Sequence, residues 1–181
     1  MAATVIVERL TGAGPTATDI RDTVNRVSRS DVVVPALANP VDVPVSGTIY
    51  SHWVVVRLRA TVAPANKITD IKYYTDGVAI AGLGTVLAKV GVATTYVQAA
   101  GLEINAANYS TLVDLGGGDK VRDAFSYTVG APLNLTALGM ADITPSALTM
   151  AWYVVYQYQV TDAGLVGLTD LERFTLIGTE S

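Results

Sequence analysis

Leu148-Thr-Met-Ala-Trp-Tyr-Val-Val-Tyr-Gln-Tyr-Gln-Val160 is the stretch that decides the fold. Leu148, Met150, Trp152, Val154, Tyr156, Tyr158 and Val160 fall on one side of an extended chain. Thr149, Ala151, Tyr153, Val155, Gln157 and Gln159 fall on the other, as in a strand with one buried face. Helical periodicity would scatter both sets. A second stretch repeats the pattern, with Tyr50, His52, Val54, Val56, Leu58, Ala60 and Val62 on one side and Arg57, Arg59 and Thr61 on the other.

Shorter segments rich in Val, Thr, Tyr and Phe are also predicted to be strands: Ile68 to Thr75, Thr94 to Gln98, Phe125 to Val129, Leu133 to Leu138 and Glu172 to Ile177. Turn residues punctuate them at Pro64-Ala-Asn66, Asp76-Gly77, Gly82-Leu-Gly84, Gly116-Gly-Gly118, Gly130-Ala-Pro132 and Asp162-Ala-Gly164. Helical spacing occurs only at Ile20, Val24 and Val27 and at Ile104, Asn108, Leu112 and Leu115; the second is read as one or two turns inside a loop. The fold class expected is therefore all-β, an antiparallel β-sandwich of jelly-roll type.

Residues 1–48 read differently, as an extended N-terminal arm ahead of a sandwich domain at 49–181. Pro15, Pro35, Pro40 and Pro44 lack the N–H that a central ladder needs. Yet residues 30–46 hold six valines and one leucine. Val32, Val33, Val34, Leu37, Val41, Val43 and Val45 are accordingly the candidate assembly contacts, lying either on the chain's own domain or on a neighbouring subunit.

At 181 residues the chain suits one domain. Only 15% of it is charged, against about 25% in ordinary soluble domains, so apolar surface is expected to meet other subunits. A net charge of −4 has the wrong sign for gripping phosphate backbones, and Arg21, Arg26 and Arg29 alternate with Asp19, Asp22 and Asp31. Direct nucleic-acid binding is not expected. Nor is a membrane role: no apolar run reaches about 18 to 20 residues, and no basic segment followed by an apolar one opens the chain.

The residue inventory also points away from catalysis. There is no cysteine, and the single histidine, His52, sits in a predicted strand without a nucleophile elbow anywhere in the chain. Zinc sites of His and Cys are excluded on the same counts. Asp114, Asp119 and Asp123 surround three glycines but do not follow calcium-loop spacing, with Lys120 and Arg122 at hand to neutralise them. The glycine-rich segments lack the dinucleotide and Walker patterns. Glu8, Glu103 and Glu172 would form a glycosidase pair only if the fold brought them together. No enzyme activity, cofactor or metal is expected. Aromatics on both sides of the 148–160 strand suit a subunit contact or a sugar platform.

Gly47-Thr-Ile-Tyr-Ser-His-Trp53, Arg57-Leu-Arg-Ala-Thr61, Ile71-Lys-Tyr-Tyr-Thr-Asp-Gly77, Thr95-Tyr-Val-Gln-Ala99 and Ala124-Phe-Ser-Tyr127 together resemble structural proteins of tailed-bacteriophage virions. The resemblance spans residues 45 to 130, with an echo at Glu8-Arg-Leu-Thr-Gly12, and is lost at Gly164-Leu-Val-Gly167 and from Thr169 onward. It implies a non-enzymatic capsid decoration or cement protein, located in the virion and assembled in the host cytoplasm. The partners it implies are the chain itself, a trimer first, and the major capsid protein or other virion proteins. A tail or head-completion protein is the near alternative, and a carbohydrate- or receptor-binding module the distant one.

Overall fold

A computed structural model describes residues 2–21, 27–33, 40–79, 86–163 and 174–181. Ten strands are described: β1 (Thr4–Thr11), β2 (Thr16–Asp19), β3 (Thr48–Tyr50), β4 (Val54–Val62), β5 (Ile68–Tyr74), β6 (Val86–Ala93), β7 (Val121–Asp123), β8 (Leu133–Asn134), β9 (Tyr153–Thr161) and β10 (Thr175–Glu180). One 3-10 turn at Ala124–Ser126 accompanies them. The strands form two antiparallel sheets, β2-β1-β4-β9-β6-β7 with β3 also on β9, and β10-β5-β8.

The facing sides of these sheets hold the main core. Val54, Val56, Leu58 and Ala60 of β4, Ala88, Val90 and Val92 of β6, and Val154, Tyr156 and Val160 of β9 meet Ile68, Ile71, Tyr73, Leu133 and Leu176 from the smaller sheet. The period-two pattern therefore faces inward from Val54 to Ala60 and from Met150 to Val160, whereas Val62 and Leu148 are exposed. Tyr50, opposite Gln159 while Val54 is opposite Tyr156, falls on the other face. Each Val, Leu or Ile of this core stabilises by about 1.5–3 kcal/mol when removed from water.

The strand expected from residue 148 is interrupted. Thr149 lies opposite Arg59, while Val154 lies opposite Val56. Five residues on one strand thus span three on the other. The surplus at Ala151–Trp152 is two residues, an even number, so Met150 stays on the same side as Val154 and is buried with it.

The other side of the large sheet is also covered. Residues 94–115 cross it and bury Ala99, Ile104, Tyr109 and Leu112 against Trp53, Val55, Ala93 and Val155 in a second cluster. Thr94 to Gln98 belongs to this cover and not to a strand, and Phe125 opens within the 3-10 turn. One helical turn does occur in the cover, where the Tyr109 amide donates to the Asn105 carbonyl at 2.8 Å.

The boundary expected at residue 48 is not where the sheet begins. β1 lies between β2 and β4, pairing along its length from Val5↔Ala60 to Leu10↔Val55. Ile6 and Leu10 are buried. Residues 4–19 therefore belong to the sheet, and the extended part of the N-terminal third is described only at 27–33 and 40–47. Val24 falls outside the described residues, as does Glu172.

Candidate functional site

β3 and β4 both run along β9 but are separated by Ser51, His52 and Trp53. Each of these three residues is held by a different neighbour. Ser51 is buried and keeps the ladder going: its amide donates to the Tyr158 carbonyl at 2.9 Å, and its Oγ accepts from the Tyr158 amide at 3.0 Å. Trp53 turns to the outer cluster, where its Nε1 donates to the Val97 carbonyl at 3.3 Å and its ring lies 5.4 Å from that of Tyr109.

His52 faces a small cleft of about 240 Å³ lined by Arg29, Thr48, Ile49, Tyr50, His52 and Gly101. The His52 amide donates to the Ser28 carbonyl at 2.8 Å, which brings segment 27–33 alongside. Gly101 closes the other flank, and a Cβ there would come within 3.3 Å of His52 Cδ2 and 3.5 Å of Nε2. The imidazole Nδ1 is buried and has no hydrogen-bond partner. Burial holds the His52 pKa below its ordinary value; Asp31 opposes that shift, and Arg29 and Arg9 reinforce it.

Two buried polar devices fix the walls. Gln157, fully buried on the outer face of β9, donates from Nε2 to the carbonyls of Ser51 at 2.7 Å and Leu102 at 2.6 Å. Its Oε1 accepts from the Ile104 amide at 2.8 Å. One side chain thereby ties the Gly101 loop to the β3–β4 break. On the other wall, Asp31 accepts from the Gly12 amide at 2.7 Å and Arg29 meets Asp42 at 3.3 Å, so segment 27–33 is attached both to the β1–β2 turn and to segment 40–47.

Among the arm valines, Val41 and Val43 pack partly buried against the inter-sheet core. Val33 is half-buried, and its carbonyl accepts from Arg9 at 3.5 Å. Val32 is 43% exposed and Val45 wholly exposed. Val34 and Leu37 lie outside the described residues.

The remaining candidates are drawn into local structure. Asp114 accepts from the amides of Gly116 and Gly118, Asp119 pairs with Arg122, and Asp123 caps the 3-10 turn through the Phe125 amide. Among the described residues no group of three potential ligands is placed to hold a metal ion. Glu8 sits between Arg57 at 3.2 Å and Arg59 at 3.0 Å, and Arg57 also lies over the Tyr153 ring. Glu103 accepts from Asn105 at the surface.

Sequence reasoning singled out His52 but not its cleft. The signal was present in part, since Thr48, Tyr50 and His52 alternate with period two. Arg29 and Gly101 arrive from distant loops and carry no local mark. No family model, no curated protein and no solved structure matches this chain.

Proposed function

We propose that this chain is a non-enzymatic structural protein of a tailed-phage virion, a decoration or cement protein that acts through contacts between subunits and with the capsid. The observation that carries the reading is the segment 40–47. Val41 and Val43 are anchored on the chain's own core, while Val45, between Pro44 and Gly47, presents its whole side chain to the outside. A valine held out on an anchored, proline-stiffened segment gains only when a second surface covers it. Low charge content favours the same role.

The test keeps β1 in place, because deleting the N-terminal third would strip a strand from the sheet. Val32→Asp and Val45→Asp are introduced together in the full chain. The expected result is an unchanged far-UV circular dichroism spectrum with loss of self-association in sedimentation velocity, and loss of co-sedimentation with capsid shells of the parent phage. Equal association and equal shell binding by the double variant would overturn the proposal.

A further inference from the structure

We propose that the cleft between Arg29, Thr48, Tyr50, His52 and Gly101 binds a small oxyanion, a carboxylate or phosphate group. Its donors point to this. Arg29 brings a guanidinium with a planar fork of N–H groups, and Thr48 and Tyr50 bring hydroxyls. His52 adds a ring nitrogen. Its Nδ1 is buried and without a partner, so Nε2, beside Gly101, is the nitrogen at the cleft, and it donates to an anion when it carries the ring hydrogen.

Size and competition agree with a small ligand. About 240 Å³ lies below the range of about 300–1,000 Å³ typical of drug-sized sites but accommodates one carboxylate or phosphate. Among the described residues Arg29 is paired with the carboxylate of Asp42, through one nitrogen at 3.3 Å, with both side chains more than half exposed. Exposed pairs of this kind hold weakly, so an anion that also meets His52, Thr48 and Tyr50 displaces Asp42. The net charge of −4 means that no long-range field gathers anions, and selectivity rests on these local donors.

Because His52 is the one histidine of the chain, its C2–H proton resonance reports the cleft without assignment ambiguity. The full chain is titrated with sodium phosphate and, in parallel, sodium acetate at constant ionic strength, with sodium chloride as reference. A saturable shift with either oxyanion, absent with chloride, is expected. Phosphate saturating alone identifies a phosphate group as the ligand; acetate saturating comparably identifies a carboxylate. Arg29→Gln should weaken binding about tenfold, the loss of a charge-assisted contact. Asp42→Asn, which removes only the competitor, should tighten it severalfold, a gain that misfolding does not mimic. Shifts that stay linear and equal to those in chloride, an unchanged midpoint in Arg29→Gln, or an unchanged midpoint in Asp42→Asn would each overturn the assignment.

Discussion

Replacing Gln157 with leucine tests whether one side chain holds the outer cover to the sheet. Leucine has similar bulk, so no large cavity opens, but the carbonyls of Ser51 and Leu102 and the amide of Ile104 lose their partner together. Ser51 and Ile104 are buried and water does not replace the lost bonds, whereas Leu102 is 55% exposed and its carbonyl is rehydrated. Two dry orphans at about 1–3 kcal/mol each sum to about 4 kcal/mol, and relief of the amide's own desolvation reduces this to about 3 kcal/mol. For a chain of this length that is a fall in Tm of about 6–12 °C. Urea denaturation gives the free energy, and amide exchange at Ile104 shows whether the cover opens locally. Gln157→Glu separates hydrogen bonding from packing: it keeps the acceptor for Ile104 but turns an anion toward two carbonyls, so it should cost more than leucine at neutral pH. A loss below about 1 kcal/mol in Gln157→Leu, with Ile104 still protected, would refute the reasoning.

Three further outcomes are expected. Gly178→Ala places a Cβ 2.5 Å from Ile68 Cγ2 and 3.2 Å from Ile71 Cγ1, and should lower stability by about 1–3 kcal/mol in denaturant titration, while Gly14→Ala, with nothing within 4 Å, should change little. The His52 pKa is lower in the folded chain than the ordinary 6.5, so its contribution is present above pH 6.5 and lost as pH falls through the folded value; Tm should drop over that window, and less so in His52→Gln. Burial raises Tyr96 and Tyr109 to about 12 and holds Tyr73 well above its ordinary value, so their contribution is present below pH 10 and lost as pH rises past it; ultraviolet titration should show these phenols ionising late, coincident with alkaline unfolding.

Periodicity in a sequence tells which way a side chain points, and not what comes to lie on that side. The inward residues of β4 and β9 were legible for this reason, and the two-residue surplus at Ala151–Trp152 did not disturb them because it preserves parity. The outward residues were not. Gln157 alternates with apolar neighbours and reads as solvent-facing, yet residues 94–115 fold back over it and bury it completely. β1 was hidden by a related effect. Glu8 and Arg9 are consecutive, so they lie on opposite faces of the strand, and both are buried. Two adjacent charges argue against a central strand unless their partners are known, and those of Glu8 stand 49 and 51 positions away at Arg57 and Arg59.

The cleft follows the same logic from the opposite direction. Thr48 and Tyr50 alternate on β3, but Ile49 between them lines the cleft as well, and His52 lies beyond the strand. What gathers these side chains into a concave site is the break at Ser51–Trp53. It ends one pairing with β9 before the next begins and lets segment 27–33 and the Gly101 loop close in from either flank. Arg29, set among charges of both signs, reads as part of a solvated stretch; the His52 amide reaching the Ser28 carbonyl brings it to the cleft. The same segment is tied through Asp42 to the valines offered for assembly. The proposed cleft and the proposed assembly surface thus lie on two segments, 27–33 and 40–47, that the Arg29–Asp42 pair ties together on a sheet, and the sheet was the part written in the alternation.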